Sequence, residues 1–159
     1  MSSVADYVGR TVDLLAFQGM FPVTTKTELL AQSLVDAKSN SYIVTGIEKL
    51  VQKFLNTFLL SQGTDPYRQK RGTAFMPKVQ KGFLRTVADV TQAFYSAVLD
   101  VSRQLASEAL VADPLDEVFE SATLQNVTLA ADTIRLTILI TSAAGTTYTF
   151  IAPIPVAIK

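Results

Sequence analysis

The sequence predicts an α+β fold: two packed amphipathic helices against a small antiparallel C-terminal β-sheet, with an N-terminal β-hairpin or arm. Three patterns predict it. Apolar residues recur at helical spacing in 44–60 and again in 84–110, and they alternate at strand spacing in 133–141. The 159 residues suffice for one core, so we divide the chain into an arm, 1–42, and one domain, 43–159.

The N-terminal arm has two candidate strands. Residues 11–18 have the composition of a short strand, and the Gly-Met-Phe-Pro sequence at 19–22 ends it. A second strand over 28–35 would pair back on the first. Its Leu-Leu-Ala-Gln-Ser-Leu run is equally compatible with a helix, so both alternatives stay open from the sequence.

The first helix is predicted over 44–60, where seven apolar residues follow one helical face. They are Ile47, Leu50, Val51, Phe54, Leu55, Phe58 and Leu59. Thr45 is placed to cap this helix, and Glu48 three residues later would complete a capping box. The polar residues of the helix are expected to face water, namely Glu48, Lys49, Gln52, Lys53 and Asn56.

A polar stretch without periodicity, 61–82, separates the two helices. A loop of roughly 20 residues in a compact domain usually has a function or binds a partner. We expect Tyr67 to anchor this loop to the body of the protein. The second helix, 84–110, ends before Pro114, because a residue that precedes proline disfavours the α conformation. Its core-facing stripe is Val87, Val90, Phe94, Ala97, Val101 and Leu105.

Three strands are predicted to follow, over 119–129, 133–141 and 146–154. The middle strand alternates most sharply, and its apolar face consists of Ile134, Leu136, Ile138 and Ile140. Pro153 and Pro155 cannot donate to a strand ladder. The last strand is therefore expected to lie at a sheet edge or to leave the body of the protein.

The composition excludes several kinds of site. The chain has no His and no Cys, which rules out a Ser-His-Asp triad, a histidine-ligated zinc and a thiol nucleophile. Lys and Arg number 14, as do Asp and Glu, so no net charge attracts nucleic acid or an anionic membrane. No apolar run approaches the roughly 20 residues of a membrane span, and the N-terminus lacks the pattern of a signal peptide. We expect no catalytic residue, no cofactor, no metal, no nucleic acid and no membrane partner.

Two charge clusters support alternatives. One is basic with interleaved aromatic residues, a mixture that can bind single-stranded nucleic acid, and consists of Arg68, Lys70, Arg71, Lys78, Lys81 and Arg85. The other could supply the acid and base of a glycoside hydrolase, led by Glu117, and consists of Asp113, Asp116, Glu117 and Glu120. The simpler interpretation is a solvated loop and a solvated acidic turn. Their separation within a neutral chain also suits charge-complementary assembly.

Three short motifs carry a resemblance to a known family. The Thr-Gly-Ile-Glu-Lys-Leu-Val-Gln-Lys-Phe helix at 45–54 is followed by Leu-Leu-Ser-Gln-Gly-Thr-Asp-Pro-Tyr at 59–67, and then by Arg-Gly-Thr-Ala-Phe at 71–75. Over 43–152 the chain resembles the small baseplate wedge proteins of contractile-tailed phages. These proteins also initiate the tail sheath and have relatives in type VI secretion baseplates.

The resemblance implies a structural protein and not an enzyme. Its partners would be larger baseplate wedge proteins, tail sheath subunits, and hub or tube proteins. Several copies would form a ring in the virion tail baseplate after assembly in the host cytoplasm. An incoming sheath strand would add to an exposed sheet edge, which agrees with late strands that are apolar and carry little charge. Some relatives are labelled lysozyme-like, so a peptidoglycan-cleaving enzyme that uses acids near 113–120 is the alternative.

The resemblance also implies two sets of partner-binding residues. The wedge loop and the helix–strand junction supply Asp65, Pro66, Tyr67, Arg71, Gly72, Phe75, Asp116 and Glu117. The sheath-facing strands supply Arg135, Ile138, Thr147, Thr149 and Ile151. The family's Glu-Pro-Arg triplet falls at 116–119, where the acid is present and the Pro and Arg are not.

Overall fold

The computed structural model of the protein describes residues 13–14, 17–18, 30–31 and 43–156. Its N-terminal part contains four two-residue strands: β1 (Asp13–Leu14), β2 (Phe17–Gln18), β3 (Leu30–Ala31) and β4 (Ile43–Val44). β2 pairs with β3, and β1 pairs with β4, both antiparallel. The β2–β3 pair joins the two segments that the sequence predicts as a hairpin, and the remainder of that hairpin lies outside the described residues.

Both predicted long helices are present, with tighter bounds. They are α1 (Ile47–Leu59) and α3 (Val87–Glu108), and a short helix, α2 (Phe75–Gln80), lies between them. A 3₁₀ helix, Leu115–Glu117, follows α3. α3 begins where it does because the Thr86 side chain accepts the Asp89 N–H while the Asp89 carboxylate accepts the Thr86 N–H.

The C-terminal sheet has the predicted three strands in sequential order, β5 (Phe119–Leu129), β6 (Thr133–Ser142) and β7 (Thr147–Pro155). All neighbours pair antiparallel, so β6 is central and β7 is an edge strand, as its prolines predict. The even-numbered residues of β6 are buried, which confirms the predicted apolar face. The α+β prediction is thus confirmed.

The core lies between the helices and one face of the sheet, because α1 contacts β6 and β7 while α3 contacts β5. Phe58 occupies its centre. The ring of Phe58 lies 5.6 Å from that of Phe54, 4.7 Å from that of Phe75 and 5.6 Å from that of Phe94. These contacts join all three helices, and Ile138 and Phe150 pair across the sheet beneath them.

Several predicted helix details are wrong. Lys49 and Gln52 are buried, not solvated, because α1 is covered by the sheet, by α3 and by the 3₁₀ helix, so its buried surface is wider than one stripe. Thr45 does not cap α1. The N-cap is Gly46, with a positive φ, and no side-chain capping box forms there. Val87 is half-exposed because the buried stripe of α3 starts one turn later, at Val90.

Candidate partner-binding surfaces

β7 presents an unpaired backbone edge within the described part of the chain. The Val156 N–H donates to the Asp132 carbonyl at 2.8 Å, and the Ser142 N–H donates to the Thr146 carbonyl at 2.9 Å. The register is uninterrupted between these two bonds. Bonded and non-bonded pairs alternate in an antiparallel ladder, so even-numbered residues of β7 bond to β6 and odd-numbered residues direct their N–H and C=O groups away. We call these odd-numbered groups the outward edge of β7.

The prolines lie on this outward edge. Pro153 and Pro155 are odd-numbered, so the N–H that each lacks is not needed by the ladder with β6. Among the described residues, the donors of this edge that have no partner are therefore the N–H groups of Thr147, Thr149 and Ile151. All three were predicted as partner-binding residues, and the geometry makes them the part of the edge to which a further strand can bond fully.

Two other residues predicted on the sheath-facing strands have different positions. Arg135 lies exposed on the sheet face opposite the helices. Ile138 is fully buried among the core residues, so its side chain cannot contact a partner, and this assignment is wrong. Side chains along a strand point alternately to the two faces of the sheet. In β6 the even-numbered residues, including Ile138, face the core.

The opposite sheet edge, β5, is less regular. Its pairing with β6 shifts register between Phe119 and Ser121 and again between Leu124 and Asn126. Such bulges bend a strand and disturb the row of groups that a further strand would need. β7 is consequently the more suitable edge for strand addition.

The loop that follows α1 is held at its base. Ser61 and Thr73 form a parallel bridge, and the Thr73 N–H donates to the Leu60 carbonyl at 2.8 Å. The Gln104 side chain accepts the Gly72 N–H at 2.8 Å and donates to the Gly72 carbonyl at 2.9 Å. These bonds close the loop 61–73 at its base and attach it to α3.

Tyr67 projects from this loop into solvent, with 95% of its surface exposed. The prediction that Tyr67 anchors the loop is wrong, because the Asp65 carboxylate holds the turn instead by accepting the Tyr67 and Arg68 N–H groups. Arg68 also bonds to Glu108 at the end of α3, at 2.9 Å. An ordered, exposed tyrosine is the kind of residue that dominates binding at protein interfaces.

The other predicted loop residues divide into surface and core. Pro66 is exposed, and Asp65 and Arg71 are partly exposed, so they share the surface with Tyr67. Gly72 is buried beneath Gln104. Phe75 is a core residue in α2, so its assignment to a partner surface is wrong: the sequence placed it in a loop, whereas it packs on the core.

Gly72 offers a test of how the loop is held. A Cβ at Gly72 would lie 2.4 Å from the Leu60 carbonyl oxygen, and its φ is +99°. We expect Gly72→Ala to lower the free energy of unfolding by about 2 kcal/mol through backbone strain and displacement of the loop. Gly63→Ala is the matched control, since Gly63 also has a positive φ but no atom within 4 Å, and should lower it by about 1 kcal/mol. Equal losses in denaturant unfolding would contradict the close approach.

Glu117 is not on the surface. Its side chain is buried, and its Oε1 accepts the Thr45 hydroxyl at 3.1 Å and the Gly46 N–H at 3.2 Å. Its Oε2 accepts the Lys49 ammonium at 2.8 Å. The prediction of Glu117 as a partner-binding residue is therefore wrong, and the carboxylate is also closed to a polysaccharide. Asp116, the other predicted junction residue, is partly exposed.

The structural roles of Lys49, which pairs with Glu117, and of Gln104, which holds the Gly72 backbone, were missed from the sequence. Lys49 lies 68 positions from Glu117, and Gln104 lies 32 positions from Gly72. No local sequence pattern predicts either pair. The only available signal was a lysine within a strongly apolar helix, which the helical periodicity assigned to the solvated side.

The hydroxyl of Tyr148 on β7 has a raised pKa. Burial, with a smaller contribution from the charge of Glu48, raises its pKa to about 12, above the ordinary tyrosine value of about 10. Since the unfolded tyrosine ionises first as the pH rises, the stability contributed by Tyr148 is complete below pH 10 and is lost toward pH 12. In an ultraviolet titration we expect Tyr148→Phe to remove a late tyrosinate transition. An unchanged late transition would show that another tyrosine produces it.

The described residues contain no group of three acidic side chains that could hold a metal ion. No described helix has the length and apolar character to cross a bilayer. Of the predicted basic cluster, Arg68 and Arg71 approach Glu108, at 2.9 and 3.8 Å, so part of its charge is neutralised within the chain.

Comparison with known proteins adds no relative: the chain matches no protein-family model, no curated protein and no solved structure.

Proposed function

We propose that this protein is a structural wedge subunit of a contractile-tail baseplate that templates the first ring of sheath subunits. The observation that carries the proposal is the outward edge of β7, which is regular and unpaired among the described residues. The resemblance over 43–152 supplies the biological setting. A sheath strand added to β7 would extend a three-stranded sheet into a four-stranded one.

The energetics of strand addition favour a ring of identical sites. One backbone hydrogen bond contributes roughly 0.5–1.5 kcal/mol net, so an edge with three free donors binds one strand weakly. In a ring, each additional strand binds at the high effective concentration created by the others. A short edge therefore supports reversible encounter by one sheath subunit and stable binding by a complete ring.

The loop surface around Tyr67 is the proposed contact with the larger wedge proteins. Its backbone is fixed by Asp65 and Gln104, so binding would order few additional groups. Tyr67 would be the central contact, and the Arg68–Glu108 pair would belong to the polar rim. The two proposed surfaces lie on separate elements, as a subunit that joins wedge to sheath requires.

Electron cryomicroscopy of an intact contractile particle that contains this chain tests the proposal. We expect the chain at the junction of baseplate and sheath, with a strand of another subunit beside Thr147, Thr149 and Ile151. A map in which the protein's own polypeptide covers the outward edge of β7 would contradict the proposal. Absence of the chain from purified tails would contradict it as well.

A further inference from the structure

Two exposed surfaces lie at opposite ends of α3 and are not used by the proposed function. The basic end extends from α2 into the turn before α3 and consists of Lys78, Lys81, Phe83 and Arg85, of which Lys78 is only partly exposed. The acidic end extends from the turn that follows α3 to the start of β5 and consists of Leu110, Asp113, Leu115 and Glu120, of which Asp113 is only partly exposed. Each has an excess of charge of one sign, although Asp89 lies beside Arg85 at the basic end, and each has at least one exposed apolar side chain.

The apolar parts of both ends are unusually open to solvent. Phe83 is 62% exposed at the basic end, and Leu110 and Leu115 are 69% and 64% exposed at the acidic end. Exposed apolar side chains with charged neighbours are common at surfaces that bind other proteins.

The charges are largely unused within the chain. Among the described residues, Lys78, Lys81 and Glu120 form no ion pair. The Arg85 side chain bonds to the Gly82 carbonyl, and its charge also acts on the nearby Asp89 carboxylate. The Asp113 carboxylate accepts the Leu110 N–H. Cations before a helix and anions after it also oppose the helix dipole, so this distribution does not serve to stabilise α3.

The two ends cannot meet in one molecule. α3 has 22 residues, and a straight helix of that length spans about 33 Å. From these observations we propose that the basic end of one copy binds the acidic end of the next, in a head-to-tail contact between copies of this chain. Such a contact closes into a ring when the rotation between neighbours divides a full turn. Phe83 would be buried against Leu110 and Leu115, and the charges would set orientation.

Sedimentation of the full-length chain tests this contact. We expect concentration-dependent association at low salt that weakens at least tenfold in dissociation constant at about 0.5 M salt, since exposed charges are then screened beyond a few ångströms. Lys81→Glu/Arg85→Glu and Asp113→Lys/Glu120→Lys should each be monomeric. Their mixture should associate, because the two reversed surfaces again have opposite charge and each variant keeps one native end.

Lys70→Glu is the control, since Lys70 is exposed and lies in neither end, and it should associate like wild type. Circular dichroism checks that each variant folds. Glu120→Lys alone, which removes no described hydrogen bond, provides a second test and should weaken association several-fold. A wild-type chain that stays monomeric at low salt up to its solubility limit would overturn the proposal, as would undiminished association of the two charge-reversed variants.

Discussion

Glu117→Gln is expected to lower the free energy of unfolding by about 3 kcal/mol, the range typical for removing one partner of a buried ion pair. For a chain of this size, that loss corresponds to a fall in the thermal midpoint on the order of 10 °C. Glutamine keeps the size of the side chain and one acceptor oxygen. It removes the negative charge that lies 2.8 Å from the buried Lys49 ammonium, and the loss of this ion pair accounts for most of the expected loss.

The magnitude follows from the position of Glu117. Its carboxylate accepts hydrogen bonds from the Thr45 hydroxyl, the Gly46 N–H and the Lys49 ammonium. α1 has no side-chain cap, so the Glu117 carboxylate serves as the acceptor at its N-terminus. An acid at a helix N-terminus is also favoured by the helix dipole. The contact joins α1 to the 3₁₀ helix in front of β5, and its loss would loosen the helix layer from the sheet.

Denaturant unfolding followed by circular dichroism measures the effect. Glu120→Gln is the matched control: Glu120 is exposed, and its loss should change the free energy by no more than about 0.5 kcal/mol. Lys49→Met combined with Glu117→Leu should recover part of the stability, because it removes both buried charges together but also removes the acceptor of the Gly46 N–H. A Glu117→Gln variant as stable as the control would contradict the buried network.

The local patterns predicted most of the fold. In α1, α3 and β6, apolar residues recur at one regular spacing over ten or more positions. Such a pattern is visible in the local sequence and predicts the type of element without knowledge of tertiary contacts. α2 was missed because six residues are too few to show a period, and its place is set by the packing of Phe75 on Phe58. Short elements depend on tertiary contacts that a local pattern does not contain.

The candidate surfaces were predicted less well, for two physical reasons. Lys49 and Glu117 are distant in sequence, and only the packing of the 3₁₀ helix on α1 makes both buried. Ile138 was assigned to a binding surface although its own alternation pattern placed it in the core. Thr147, Thr149 and Ile151 were placed correctly on an edge strand, because prolines at 153 and 155 exclude a central one.

If the protein templates the sheath as proposed, Thr149→Pro is expected to reduce sheath assembly at least about tenfold while the protein stays folded. The Thr149 N–H belongs to the outward edge of β7, so its loss removes no hydrogen bond to β6. Pro153 occupies an equivalent position four residues later, which shows that the strand accommodates proline there. The loss in the free energy of unfolding should stay within about 1 kcal/mol.

The effect on assembly is larger because proline acts twice. It removes the middle donor of the three at Thr147, Thr149 and Ile151, and its ring occupies the space of an incoming strand. The number of sheathed tails, counted by negative-stain electron microscopy, should fall at least about tenfold, since each 1.4 kcal/mol of lost affinity is a factor of ten.

Two substitutions distinguish loss of the edge from loss of the fold. Thr149→Val keeps the N–H and the shape of the side chain, so sheathed tails should form normally if the backbone is what the sheath recognises. Phe150→Pro removes an inward N–H and a core ring, so it should unfold the sheet and prevent incorporation of the subunit. Normal sheaths on Thr149→Pro particles would show that no strand adds to β7. Failure of Thr149→Val would assign recognition to the threonine hydroxyl instead, since strand addition through the backbone requires only the N–H and C=O groups that valine retains.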